Sequence, residues 1–495
     1  MNSPCELELA DVAVAAIDAR LKHLEAFADQ ASGAIEQLVD AVLRVQEDRA
    51  APSADASPAP PSAPAAAIDA LHRKLRDLEQ QLALDRATRD FAHVSRMHPK
   101  ARIAVFVGTT YFGCNVKYAW LAAHERAHEL DLQAWFLPFN EQQQQIVESL
   151  GGLCFPASPG AWTPEHLHAA LSAAVVVTTD HFLNPNPYAP ALLAGARQIQ
   201  LWHGVSIKEI GLRNLPGGRA LGPHLARVLA TCGPYAAMVG TTAAAQQEWR
   251  RWFAFERYAA TGYPRNDVLY REPTPADLAG CDRLAYDRAQ ATLARGKRVL
   301  LYAPTFRDGR PEWILQAGLE HLARAAAQHG DLLVVNLHPV ESPQIPRLAP
   351  HLPGVVFVTP RTDLYPLLGR ASALITDYSS IMFDYLHVDR PILLYRPDHE
   401  AYVSQSRKLF DDKLAQTPGP LFTEATSLAR AIRREDLAQT DTFVQARANL
   451  RRQWFDDADG SSAQRVLQEL EVELGAVAAA ATRSPAPPPQ AAREP

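Results

Sequence analysis

Leu374–Tyr385 reads LITDYSSIMFDY, and the fold turns on how this stretch is parsed. Ala373-Leu374-Ile375 has the composition of a buried strand's end, Thr376 and Asp377 are turn residues, and Ser379-Ser380 stand where a new helix begins. A strand running into a helix start places backbone N–H groups and two hydroxyls at the positive end of a macrodipole, a setting that favours an anion. The turn lacks glycine, so it is not a Walker loop; a phosphate here would be held by hydroxyls and dipole. The same residues also read as a plain serine N-cap, and the rest of the chain has to decide between the two.

Outward from this stretch, short apolar runs alternate with longer helical patterns. Residues 102–107, 132–137, 174–178, 198–201 and 236–239 read as one series of strands. A second series follows at 298–302, 332–337, 355–358, 373–376 and 392–395, with the polar, helical stretch 272–297 between the two. Strand–helix alternation predicts parallel sheets covered by helices on both faces. The expected architecture is α/β: two Rossmann-like, doubly wound domains, 100–290 and 295–475, with a cleft between them. In such sheets ligands bind beyond the carboxyl ends of the strands.

The front of the chain has a different texture. Ile17, Leu21, Leu24, Ala28, Ala31, Ile35, Leu38, Val42 and Val45 alternate spacings of four and three, the seam of a coiled coil. Five prolines in residues 51–66 mark a linker, and a second seam runs through Ile68, Leu71, Leu75, Leu78 and Leu82. Residues 1–50 carry 4 basic against 10 acidic side chains, and 67–100 carry 7 against 5, a balance suited to pairing. A helical coiled-coil extension over 1–96 is expected, with homo-oligomerisation through it. The proline-rich end from 476 to 495 is expected to be disordered.

Composition removes several classes. Net charge is −6, which offers no basic field for nucleic acid. Cys5, Cys114, Cys154, Cys232 and Cys281 are scattered without a CxxC pair, against a disulfide framework or zinc site. The acidic amino terminus lacks the regions of a signal peptide, and no stretch reaches 18 apolar residues. The expectation is a cytoplasmic protein that meets any membrane peripherally, at its inner face. Trp249-Arg250-Arg251-Trp252-Phe253 has two readings: a face for lipid head groups or a polyanionic acceptor, or a helix packing its tryptophans inward.

The strand ends carry the chemistry. After 198–201 comes WHGVSIKEIG with His203 and Lys208; after 298–302, Thr305 and Arg307; after 332–337, His338 and Pro339; after 373–376, Asp377-Tyr378-Ser379-Ser380; after 392–395, RPDHEAY. His203 and His338 belong to opposite domains and are expected to face each other across the cleft. With Arg307, Ser379 and Ser380 as donors to phosphate oxygens, the set suits attack of an alcohol on a diphosphate. An imidazole titrating near pH ~6.5 can serve as either base or donor. No paired carboxylates suggest glycoside hydrolysis. Asp377 and Asp384 make a poor metal site, with no HxxxH or DxD nearby, so no metal ligand is assigned.

LWHGVSIKEIG (201–211), GYPRNDVL (262–269), YAPTFRD (302–308), LHP (337–339), residues 363–402 and YFGCNVKYAW (111–120) together resemble the CDP-glycerol glycerophosphotransferase family, which includes teichoic acid primases and polymerases and related capsule polymerases. The resemblance covers about 100–425. It implies a glycosyltransferase-B-like fold and transfer of glycerol phosphate from CDP-glycerol to a hydroxyl of a surface polymer or lipid-linked precursor, releasing CMP. It implies His203 as catalytic base and His338 as a second catalytic histidine near the donor diphosphate. Thr305, Arg307, Asp377, Ser379 and Ser380 are implied around the donor; Asn115, Lys117, Lys208 and Asp384 are implied as acceptor-side or structural. The GYPRND segment reads as an interdomain or structural turn. CDP-glycerol enters as substrate, no tightly bound cofactor is expected, and divalent-metal dependence stays open. Two departures bear on the donor. Asn336 stands where the family often has lysine, and Arg407-Lys408-Leu409-Phe410 replaces an Arg-Gly-aromatic motif. CDP-ribitol, or a nucleotide sugar on the same fold, is the alternative donor; a non-catalytic scaffold is the third reading.

Overall fold

The structure, a computed structural model, describes residues 63–180, 184–207, 210, 233–307, 309–310, 312–405, 410, 417–433, 437 and 441–483. The seam expected over 1–50, Lys208, the 407–409 triplet and residues 484–495 lie outside them. The chain forms two compact units. In the first, residues 1–90 with 218–224, the described part is helical and belongs to the helix Ala63–Met97. That helix starts inside the expected linker, because Pro64 falls in its first turn, where the missing N–H costs nothing. Leu82 of the expected seam is exposed, and the partner stretch of the coiled coil lies outside the described residues.

The second unit, from Phe91 apart from residues 218–224, holds both sheets. The first lobe contains β1 (Ala101–Val107), β2 (Gln133–Leu137), β3 (Leu153–Cys154), β4 (Ala173–Thr178), β5 (Arg197–Gln200), β6 (Tyr235–Gly240) and β7 (Phe255–Ala260), in the order β3-β2-β1-β4-β5-β6-β7. The second contains β8 (Val299–Ala303), β9 (Leu332–Val335), β10 (Val356–Phe357), β11 (Ala373–Thr376), β12 (Ile392–Tyr395) and β13 (Leu421–Phe422), in the order β10-β9-β8-β11-β12-β13. Every pairing is parallel, with Val105 opposite Val176 and Ile375 opposite Tyr302. The central strands are buried on both faces, which is why they read as unbroken apolar runs.

Strand order reverses between β1 and β4 in the first sheet and between β8 and β11 in the second. These switch points are where side chains at strand ends can splay around a ligand. β3, β7 and β13, which the composition does not announce, are all edge strands. Two of them are only two residues long, and β7 interrupts its apolar pattern with Glu256 and Arg257. Short, charged edges resist further pairing and leave a weak sequence signal.

The last helix corrects the expected boundaries. Ser462–Arg483 runs past 476, so the tail does not begin there, and it packs on β4 and the helix Cys114–Glu125 rather than on the second lobe. Val466, Leu467, Leu470 and Leu474 are buried, and Glu473 is paired with Arg197 and, at 2.8 Å, with Arg257. Its N-terminus is capped from the GYPRND segment: Ser462 and Ala463 N–H groups donate to Asp267 at 2.9 and 2.7 Å. The core is continuous between lobes, with Trp120 of the first and Leu301 and Leu374 of the second in one cluster.

Candidate active site

The carboxyl end of β5 leads into Leu201-Trp202-His203-Gly204. Trp202 sits at φ 54°, a left-handed conformation that costs a bulky residue energy unless its surroundings enforce it. Here they do. The Trp202 N–H donates to Gln200 Oε1 at 2.9 Å, and its carbonyl accepts from Asn115 Nδ2 at 2.8 Å and Thr179 Oγ1 at 2.5 Å. Its indole lies 6.0 Å from Trp249 and 4.8 Å from Phe253. The segment Trp249–Phe253 therefore packs its aromatic rings inward, and both tryptophans are buried. This turn presents His203, stacked on Trp202 at 4.2 Å, with Nδ1 3.3 Å from the Thr179 carbonyl. A carbonyl only accepts, so Nδ1 carries the hydrogen and Nε2 keeps its lone pair.

His338 follows β9 in a turn closed by Glu341 N–H donating to the His338 carbonyl at 2.8 Å. Its ring stacks on Phe306 at 4.3 Å, and Val340 N–H donates to its Nδ1 at 3.2 Å. Nδ1 is therefore the acceptor, and the neutral ring carries its hydrogen on Nε2. The two imidazoles are set in opposite tautomers.

Both histidines line one cleft of about 390 Å³, together with Thr305, Asn336, Ser379 and Ser380. Gly204 brings the first-lobe turn against the second lobe. A Cβ there would lie 3.0 Å from Arg265 Nη2 and 3.1 Å from Ser380 Oγ, and its φ of 138° disfavours any other residue. Thr305 lines the cleft, and its Oγ1 is buried without a protein partner. The helix after Ser379-Ser380 is a single turn, Ile381–Asp384, and Ser380 makes no capping bond. So short a helix has little macrodipole, which leaves the hydroxyls and backbone N–H groups as the polar groups of this turn.

Several residues expected around the ligand are spent elsewhere. Arg307 is buried; it forms a two-pronged pair with Asp398 at 2.9 Å and reaches Asp377 at 2.9 Å, packed over Trp313 at 4.0 Å and Tyr402 at 4.6 Å. With two carboxylates on it, its charge is not offered to a donor phosphate. Asp377 is fully buried and accepts from Thr305 N–H and Arg307, joining the ends of β8 and β11 rather than facing the cleft. The sequence missed Asp398 as the arginine's partner and Tyr378 as a cleft wall stacked on Tyr402 at 4.0 Å. The only signal was their place after β12 and β11.

On the first-lobe side, Lys117 is buried and bonds Asp363 at 2.7 Å, with the Asp277 and Ala279 carbonyls at 2.6 and 2.8 Å. Asp384 accepts from Arg265 and Tyr365, both at 2.7 Å. Asn115 spans from the Trp202 carbonyl to the Arg265 N–H. Lys117 and Asp384 are struts between the lobes and Asn115 ties two first-lobe segments together; breaking one of these contacts would strand a buried polar group. Glu341, behind His338, is buried with one oxygen bonded by Trp313 Nε1 and the other unpartnered; burial pushes its carboxyl up to about 7. Among the described residues no three His, Cys, Asp or Glu side chains cluster as metal ligands, and no helix is long and apolar enough to cross a membrane.

Similarity to known proteins agrees with this geometry. The chain is 25% identical to the teichoic acid glycerol-phosphate transferase of Staphylococcus aureus over 291 residues, 55% of this chain and 70% of that protein. It is 28% identical to the teichoic acid ribitol-phosphate primase of Bacillus spizizenii over 324 residues, 61% and 77% of the two chains. The wall teichoic acid polymerase TagF has the same fold, with a TM-score of 0.61 at 19% identity over 83% of this chain and 99% of that one. Residues 160–472, more than half of the chain, match the CDP-glycerol:poly(glycerophosphate) glycerophosphotransferase family, and the chain belongs to that family.

Proposed function

We propose that this enzyme transfers glycerol phosphate from CDP-glycerol to a hydroxyl of a surface polymer or its lipid-linked precursor, releasing CMP. The observation that carries the reading is the meeting of His203 and His338, one per lobe, in a single cleft with the hydroxyls of Thr305, Ser379 and Ser380. His203 Nε2 takes the proton of the acceptor hydroxyl. That oxygen attacks the phosphorus bearing glycerol, a new P–O bond forms, and the bridging P–O bond breaks toward CMP. His338 Nε2–H and the hydroxyls donate to diphosphate oxygens where negative charge builds, which lowers the barrier most in a water-poor cleft.

The test is CMP release with CDP-glycerol and an acceptor, comparing wild type with His203→Ala and His338→Ala. Near wild-type release from both variants overturns the mechanism. A second reading, CDP-ribitol as donor, is favoured by the similarity to a ribitol-phosphate primase and by Asn336 in the cleft wall. Competing CDP-glycerol, CDP-ribitol and a UDP-sugar in a thermal-shift screen separates the donors. The proposal includes peripheral work at the inner face of the membrane and self-association through residues 1–96. Vesicle sedimentation and mass photometry of the full chain test these two parts.

A further inference from the structure

The His203 turn belongs to the first lobe and the Ser379-Ser380 turn to the second, so transfer between them depends on how the lobes are held. Arg265, in the short helical run Pro264–Tyr270, stands between the two. Its N–H donates to Asn115 Oδ1 at 3.2 Å, and Nδ2 of the same amide holds the Trp202 carbonyl at 2.8 Å. Its Nη2 donates to Asp384 Oδ2 at 2.7 Å. Asp384 closes the helical turn Ile381–Asp384, in which Phe383 N–H donates to the Ser380 carbonyl at 3.0 Å. An unbroken chain of bonds therefore runs from Trp202 through Asn115, Arg265 and Asp384 to Ser380.

The two turns also meet directly at the guanidinium. A Cβ on Gly204 would lie 3.0 Å from Arg265 Nη2 and 3.1 Å from Ser380 Oγ, so only glycine lets the first-lobe turn close on this point. The guanidinium has little freedom to shift. It lies 4.7 Å from the Tyr365 ring, its Nη1 is 3.4 Å from Cys114 Sγ, and Tyr365 Oη donates to the same Asp384 oxygen at 2.7 Å.

Both members of the pair are buried, Arg265 at 5% exposure and Asp384 at 1%. Replacing a buried pair by neutral groups is often harmless to stability, so stabilisation alone is a weak reason for one here. A satisfied polar network does fix a single arrangement, because its bonds are directional. Spacing matters at this place, since a misplacement of about 1 Å can cost ~100-fold in rate.

We propose that Arg265 and Asp384 are positioning residues whose ion pair latches the His203 turn against the Ser379-Ser380 turn, setting the line from acceptor hydroxyl to donor phosphorus. The assignment rests on the transferase reading above. It is tested with Arg265→Lys and with the double variant Arg265→Met/Asp384→Asn. The double variant leaves no buried charge alone and keeps an acceptor for the Tyr365 hydroxyl, so it is expected to melt like wild type. Its kcat for CMP release, with whichever donor the thermal-shift screen selects, should fall at least about 10-fold. Its calorimetric donor dissociation constant should stay within about twofold of wild type. Arg265→Lys, which keeps the charge but not the planar fork, should fall between the two. Amide exchange in Arg265→Lys should quicken at least about threefold over both 201–207 and 378–385. A stably folded double variant with wild-type kcat overturns the latch. So does a loss that falls on donor binding instead, or exchange unchanged over either segment. Exchange needs no turnover, so a wild type that transfers nothing sinks the transferase reading while the latch is still judged.

Discussion

The turns at His203 and His338 occupy equivalent places, each at the carboxyl end of a parallel strand, yet they are built in opposite ways. At His203 the backbone is forced left-handed at Trp202 and held by side chains from two other segments, Asn115 and Thr179. At His338 the turn is local, closed by bonds to the next three or four residues. The imidazole partners are opposite as well: a carbonyl 24 residues away for His203, an N–H two residues away for His338. Nδ1 thus donates in one ring and accepts in the other. A base and a charge-stabilising donor can thus come from the same residue type when the backbone supplies the other half of the bond.

That contrast can be broken experimentally. Removing the base should have the largest effect. His203→Ala is expected to lower kcat about 10³-fold with the donor dissociation constant unchanged, whereas His338→Ala should lower kcat and weaken donor binding together. Equal effects on both parameters in both variants would erase the distinction between the two turns. Calorimetric donor binding alongside stopped-assay CMP release measures this.

Next comes Arg307→Met, which leaves Asp377 buried without its cation and the half-buried Asp398 with Arg310 at 3.7 Å. Breaking a buried pair typically costs about 3–5 kcal/mol, so denaturant melts should show a loss of that order. A direct role on the donor phosphate predicts something else: weakened donor binding at unchanged stability. Asn115→Ala should have a smaller effect, since it removes one hydrogen bond from the strained turn at Trp202 and one from the Arg265 N–H. We expect about a 10-fold lower kcat at unchanged donor KM, and no change when the equivalent truncation, Ser342→Ala, is made beside the His338 turn.

Glu341 gives a pH signature, with no effect expected near pH 4.5. Its carboxyl is pushed up to about 7 by burial, so the folded state holds its proton more tightly than the unfolded chain does. Its contribution is fully present below about pH 4.5 and is lost as pH rises through about 7, where an ionised carboxylate is left buried. Glu341→Gln keeps the Trp313 bond without the charge. It should melt like wild type near pH 4.5 and become more stable by up to about 3 kcal/mol above pH 7. Parallel melting curves at every pH would show that the carboxyl does not titrate in this window.

The sheets were legible because burial on both faces leaves continuous apolar runs, as in Ala373–Thr376 and Ile392–Tyr395. The edge strand Phe255–Ala260 was not, because its pattern mixes charge with apolar residues. In the site, His203, His338, Thr305, Ser379 and Ser380 could be named from strand ends alone, and the structure brings all five to one cleft. Arg307 and Asp377 could be named but not assigned, because a basic residue after a strand looks the same whether it meets a phosphate or a carboxylate. What consumes Arg307 is Asp398, 91 residues further on.

Local pattern by itself determined the strand–helix alternation, the two lobes and the polar residues at the strand ends, since these depend on side-chain periodicity within a few residues. Only the tertiary structure decided which polar groups turn inward: Lys117 finds Asp363 across 246 positions and Arg265 finds Asp384 across 119. It also decided what each histidine's Nδ1 meets, the Thr179 carbonyl for His203 and the Val340 N–H for His338. A buried charge and an imidazole tautomer are both settled by the partner that desolvation demands, and that partner is close in space without having to be close in the chain.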